Sequence, residues 1–193
     1  MAQPPDQSYT ITNTYERDMT DRPSWIFAYG SLIWRPEPGW LARAEGFVQG
    51  WRRAFYQGSP DHRGTPDAPG RVVTLLPAPG ELTWGAAYLI EPHTFDALDL
   101  REQGGYARHE LRFHPRGAAP HPATVYVATP DNPHYLGPAP IDAIAAHIRR
   151  SHGPSGPNDE YALRLAEALR AMDADDPHVF AVEAALLATS GAT

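Results

Sequence analysis

Trp25-Ile26-Phe27-Ala28-Tyr29-Gly30-Ser31 is the stretch from which the fold is read. Five apolar or aromatic residues run without a break and are cut off by Gly-Ser, the pattern of a buried strand that ends in a tight turn. Upstream, residues 1–24 are polar, rich in Thr, Asp, Gln and Pro, and show no apolar period. They are expected to form a flexible tail, leaving 25–193 as a single domain. Downstream, Arg71–Leu76, Thr83–Ile90, Glu110–His114 and Ala123–Ala128 read as further strands, most of them bounded by Gly, Pro or Asp. Residues 57–70, QGSPDHRGTPDAPG, read as a long polar loop, of a length that is often functional or disordered.

Helical spacing comes mostly later. One helix is expected from about Pro92 to Glu102, with Phe95 and Leu98 on one face, stopping at Gly104-Gly105. Another starts near Pro140 and aligns Ile141, Ile144, Ala145 and Ile148. A third begins at Asn158, a favourable N-cap, and aligns Ala162, Leu165, Ala166 and Leu169. A last one covers Val179 to Leu187. Strands mostly first and helices mostly last favour an α+β fold over a doubly wound sheet.

Composition excludes several chemistries. The chain has 193 residues and no cysteine, so disulfide frameworks, thiol nucleophiles and Cys-held metal clusters are ruled out. All 16 basic residues in the Lys+Arg count are arginine, so there is no lysine for a Schiff base or a P-loop. A net charge of −7 with scattered arginines argues against non-specific nucleic-acid binding. No basic start leads into an apolar run, and no apolar segment approaches the roughly 18 residues of a membrane span. The expectation is a soluble cytoplasmic protein with no membrane or nucleic-acid partner. Its oligomeric state is not legible.

Nine histidines invite a metal reading, but none form H-E-x-x-H, and His109, His114 and His121 suit no common zinc spacing. They are read as surface or structural residues, with no metal expected. Asp173, Asp175 and Asp176 lack the glycine and closing glutamate of a calcium loop and are read as a solvated helix terminus. Residues 153–157, GPSGP, read equally well as an anion cradle or as a plain loop. Ser31 lacks the G-x-S-x-G setting of a nucleophile. Its turn is more informative: Gly30 permits close backbone approach, and successive N–H groups there can hold a carboxylate or an oxyanion. Glu102 lies at an expected helix C-terminus, where the macrodipole and burial would both raise a carboxyl pKa towards that of a useful base. On the residues alone, an exposed Glu at a frayed helix end is the favoured alternative.

Six segments taken together carry more weight: FAYGSLIW (27–34), FYQGSPDHRGTPDAPGRVVTL (55–75), WGAAYLIEP (84–92), LDLREQGGY (98–106), DNPHYLGPAP (131–140) and GPSGPNDEY (153–161). In this order they closely resemble the ChaC-type γ-glutamylcyclotransferases, from about Trp25 to the last helix. The resemblance implies a compact mixed β-barrel flanked by helices. It also implies a cytosolic enzyme, without metal or organic cofactor, that cleaves glutathione to 5-oxoproline and cysteinylglycine. It implies Glu102 as the catalytic residue and Tyr29, Gly30, Ser31 and Leu32 as the substrate loop. Tyr161 is implied as a further substrate-binding residue, and Arg53 and Arg71 as positions from which a guanidinium can face a substrate carboxylate. Two departures stand out: Ala28 where glycine is usual, crowding the loop if the site needs positive φ, and Gln103 where lysine is common. Two other readings stay open, a cyclotransferase for other γ-glutamyl amides and a non-catalytic regulatory protein of the same fold.

Overall fold

The computed structural model describes residues 22–36, 39–94, 98 and 105–188. Five strands close a barrel: β1 (Ser24–Ala28), β2 (Ala42–Ser59), β3 (Gly70–Ile90), β4 (Tyr106–Pro115) and β5 (His121–Ala128). Their order around the barrel is β1-β3-β2-β4-β5, and every pairing is antiparallel except β5 with β1, which run parallel where Ile26 meets Thr124. The barrel is therefore mixed, as the resemblance implied. Closure removes the free sheet edges that would otherwise invite aggregation. β1 starts one residue inside the expected tail because Ser24 pairs with Ile90; residues 1–21 of that tail lie outside the described residues.

Glycines shape the barrel interior at one paired position. Gly46 on β2 and Gly85 on β3 are register partners. A Cβ on either would come within 2.8 Å of an aromatic ring, Phe113 at Gly46 and Phe27 at Gly85. These two rings pack against each other, with centroids 5.6 Å apart, both almost fully buried. The bare backbone at 46 and 85 is the space they occupy.

Two differences from the sequence reading concern strands. β2 was not expected at all, and β3 is one strand where two were expected. The expected break falls at Pro77–Leu82, where the β2–β3 register shifts between Gln49 and Trp51 and three extra residues are accommodated on β3. The prolines there mark an irregularity within a continuous strand rather than its end.

Among the described residues, three complete helices cover the barrel: α1 (Ile141–Arg150), α2 (Asn158–Ala171) and α3 (Pro177–Ala188). Each buries the apolar stripe its spacing predicts, including Ile144 and Ile148, Leu165 and Leu169, and Val179 and Val182. Residues 92–94 and 98 are helical, and Leu98 is buried; the remainder of the helix expected over Pro92–Glu102 lies outside the described residues. No described helix is long and apolar enough to cross a membrane.

Asn158 does not act as the expected N-cap. It is the first residue of α2, after Pro157, and it is fully buried. Its Oδ1 accepts the Arg71 N–H (2.6 Å) and its Nδ2 donates to the Arg71 carbonyl (2.8 Å), so one side chain satisfies both backbone groups of a strand residue. The acidic run before α3 also differs from its reading. Asp176 is not solvated: its Oδ1 accepts the Val179 N–H (3.1 Å), capping the helix, and its Oδ2 lies 3.4 Å from Arg53.

Candidate active site

The turn after β1 is a single 3-10 turn, Ser31–Ile33. Ile33 N–H donates to the Gly30 carbonyl (3.0 Å), and the Trp34 and Arg35 N–H groups donate to the Ser31 carbonyl (3.2 and 2.8 Å). The N–H groups of Ser31 and Leu32 precede the first of these bonds, so they have no partner within the turn. From below, the Tyr88 hydroxyl holds the turn by donating to the Leu32 carbonyl (3.0 Å). Ala28, the departure from the usual glycine, sits in β1 opposite Ala86, and Asp173 is the one described non-glycine residue with positive φ. The positive φ that would make the extra methyl a problem is therefore absent at Ala28.

This turn forms one wall of a cavity of about 650 Å³. Tyr29, Gly30, Ser31 and Leu32 line it, and so does Tyr161, far from them in sequence. Gly30 and Tyr161 meet closely, since a Cβ at position 30 would lie 2.9 Å from the Tyr161 hydroxyl oxygen. Tyr161 comes from the first turn of α2 and is 5% exposed. Its ring stands edge-on to Trp34, with centroids 5.3 Å apart, and its hydroxyl oxygen lies 3.5 Å from the Val73 N–H. Tyr29 donates its hydroxyl proton to the Tyr126 carbonyl (2.8 Å), which joins β1 to β5 and presents the ring as cavity wall.

Another part of the lining comes from residues 57–63, together with Tyr106, Tyr126, His134 and Ser155. The segment expected as a long polar loop is short and firmly held. Strand pairing continues to Ser59 and resumes at Gly70. Gly64 and Gly153 explain the two glycine-rich motifs together. A Cβ at 153 would lie 2.3 Å from the His62 carbonyl oxygen, and one at 64 would lie 2.1 Å from the Gly70 nitrogen. The backbones press together with no room for side chains. The 153–157 segment is thus a short ribbon, His152–Gly153 paired with Gly156–Pro157, whose Gly153 face is filled by protein rather than open to an anion.

Arg63 anchors this part of the lining. Its Nη1 donates to the Pro157 carbonyl (2.8 Å) and to Glu160 Oε2 (2.9 Å), and its guanidinium lies 5.8 Å from the Tyr161 ring centroid. The hydrogen bond and charge of Arg63 hold the Glu160 carboxyl below the usual carboxylate range. Arg53 and Arg71, in contrast, do not face the cavity. Arg53 is buried beside Asp176 and donates to the Trp84 carbonyl; burial pushes its guanidinium pKa down, with Asp176 opposing. Arg71 donates to the carbonyls of Phe55 (2.9 Å) and Gly137 (3.1 Å). Both spend their charge on the scaffold. Among the described residues, the guanidinium-bearing ones that line the cavity are Arg35 and Arg63, which sequence reading did not single out.

Glu102 lies outside the described residues. Gly105 and Tyr106, just after it, are described: Gly105 has φ +88°, its carbonyl accepts from Asn132 Nδ2 (2.8 Å), and Tyr106 lines the cavity. Among the described residues, no group of three or more His, Asp or Glu side chains is placed to hold a metal.

The family model described as ChaC-like protein matches residues 24–189. The chain belongs to the ChaC-like family. A similar member, from Danio rerio, is named glutathione-specific gamma-glutamylcyclotransferase 1; it is 46% identical over 175 residues, covering 86% of this chain and 89% of the relative. The Homo sapiens protein of the same name is 44% identical over 190 residues, covering 93% of this chain and 86% of its own length. Among solved structures, the selenomethionine-labelled yeast γ-glutamyl cyclotransferase specific to glutathione aligns with a TM-score of 0.80 at 31% identity. That alignment covers 86% of this chain and 96% of the yeast one. The ChaC-like barrel-and-helix architecture is therefore the fold of this chain.

Proposed function

We propose that this protein cleaves glutathione by intramolecular cyclisation, releasing 5-oxoproline and cysteinylglycine, with residues 25–193 as one catalytic domain. The observation that carries the reading is the convergence of Tyr29–Leu32 and Tyr161 on one cavity. It occurs in a chain 44–46% identical to relatives named for glutathione-specific cyclotransfer. The cytoplasm is the compartment the reading adopts, since glutathione keeps thiols reduced there.

The substrate brings its own nucleophile. Its α-amine reaches the γ-carbonyl by closing a five-membered ring, and holding the glutamyl chain folded supplies proximity worth up to about 7–11 kcal/mol. At neutral pH that amine is an ammonium and cannot attack. Glu102 takes one of its protons; the amine nitrogen then bonds to the γ-carbon, and the carbonyl oxygen becomes an oxyanion. As the amide C–N bond breaks, Glu102 returns the proton to the departing nitrogen of cysteinylglycine; the ring nitrogen sheds its second proton to become the neutral lactam N–H, and the freed amine takes up a proton to leave as an ammonium. The Ser31 and Leu32 N–H groups, free of partners within their turn, are the donors for the oxyanion or the α-carboxylate. Tyr29 and Tyr161 bound the space in which the chain folds. The cycle consumes no water and forms no covalent enzyme intermediate, so this chain's lack of Cys and Lys costs it nothing.

The test is Glu102→Gln, which keeps the shape and removes the base. It is expected to bind glutathione in calorimetry while 5-oxoproline release falls by about 10²–10⁴-fold. Near wild-type release would overturn the assignment of Glu102. A panel with γ-glutamyl-alanine and γ-glutamyl-amines beside glutathione separates the substrate classes. Faster release from those amides than from glutathione would move the reading to a general γ-glutamyl amide cyclotransferase.

A further inference from the structure

We propose that Arg35 is a specificity residue that binds the glycyl carboxylate of glutathione, an inference that rests on the reaction just described. Three observations on this cavity lead to it. First, the two guanidinium-bearing residues that line it among the described residues differ in what they do: Arg63 is 6% exposed and committed to Pro157 and Glu160, whereas Arg35 is exposed and, among the described residues, forms no ion pair within 4 Å. The Glu160 carboxylate feels the charge of both arginines. Second, Arg35 is held in place. Its N–H donates to the Ser31 carbonyl (2.8 Å), which fixes it one turn from the Ser31 and Leu32 N–H groups. Third, the chain is acidic overall, at −7, so an anionic substrate needs local positive charge where it docks.

The chemistry of the substrate fits this placement. Glutathione carries two carboxylates, one on the reacting glutamyl residue and one at the far end of cysteinylglycine. With the reacting carbonyl at the Ser31–Leu32 N–H groups, the second carboxylate lies up to about 7 Å away, the span of two extended residues. A cation rooted one turn further along the same backbone is suitably placed to meet it. Such a contact is made equally in the ground state and the transition state, so it acts on KM, and with it on which amide is accepted, more than on kcat. A planar fork that matches a carboxylate in two hydrogen bonds also gives direction to the tail.

The experiment compares 5-oxoproline release from glutathione and from its glycinamide analogue, which replaces the distal carboxylate with a neutral group of nearly the same size. It uses wild-type protein, Arg35→Gln and Arg35→Lys, with melting temperature measured for each. Wild type is expected to favour glutathione by roughly tenfold in kcat/KM, the size of a hydrogen bond to a charged group. In Arg35→Gln that preference collapses towards one, mainly through KM for glutathione, and Arg35→Lys restores part of it. Three results would overturn the inference: an undiminished preference in Arg35→Gln, an equal fall on both substrates, or a wild type that does not discriminate. Failure of the parent reading looks different. Wild type would then release 5-oxoproline from neither substrate, and the inference would fall with it.

Discussion

A methyl group at position 30 would sit 2.9 Å from the Tyr161 hydroxyl oxygen, closer than real Cβ contacts go. Backbone conformation is not the constraint there, since Gly30 has φ −126°; the constraint is Tyr161, wedged between Trp34 and Phe55. Gly30→Ala is therefore expected to push the turn or the ring aside, at about 1–3 kcal/mol of stability and about 10²-fold in kcat/KM. Tyr161→Phe removes the clashing oxygen, so the double variant should regain most of the melting temperature lost by Gly30→Ala. If the double variant melts no higher than Gly30→Ala, the contact is not what fixes glycine there. The paired residues answer to one cavity although 131 positions separate them in the chain.

At the scale of elements, Asn158 ties α2 to β3 through two hydrogen bonds to one strand residue, both fully buried. Asn158→Ala strands the Arg71 N–H and carbonyl without partners, and is expected to cost about 2–4 kcal/mol in urea unfolding. A loss below 0.5 kcal/mol, on the order of a surface substitution, would show that the bridge contributes little. The residue had been legible as a helix start, and the start is within one position; its side-chain role was not, because local signals cannot reveal a partner 87 residues away. The same limit hid β2. Its second half is buried on both sides, between barrel interior and helices, so it lacks the alternation that marks a half-exposed strand. It also carries Arg53, which the resemblance implied could face a substrate carboxylate, yet Arg53 is buried against Asp176 of the segment before α3. The turn at Tyr29–Leu32 was legible because an aromatic run ends there in Gly-Ser. Arg35 and Arg63 were not, since nothing local distinguishes a cavity-lining arginine from a structural one.

For the molecule as a whole, acid sensitivity follows from two histidines that join parts of the fold. His178 on α3 accepts the Phe55 N–H of β2 at Nε2 (3.0 Å), a bond only the neutral ring can make. Burial is the first cause that lowers its pKa, with Arg52 adding to it and Asp176 opposing. His147 on α1 bonds the Pro69 carbonyl through Nε2 (2.7 Å), and burial lowers its pKa as well. Both rings take up a proton more readily in the unfolded chain, where the ordinary value is about 6.5. Stability is thus complete above about pH 6.5 and is lost as pH falls below that value through the lower folded pKa values. Melting temperature should stay level from pH 7 to 8 and fall between 6.5 and 5.5. His178→Gln, which offers an oxygen to the Phe55 N–H and does not titrate, should flatten that fall. An unchanged acid limb in the variant would remove His178 from the account.

The whole scheme turns on ring closure by the substrate's own amine, so the most direct measurement is product identity. Purified protein incubated with glutathione is expected to yield 5-oxoproline and cysteinylglycine in equal amounts, with no free glutamate and no oxygen-18 from labelled water in the 5-oxoproline. Glutamate as the product, or label in the ring carbonyl, would mean that water attacks the amide, and would contradict the account.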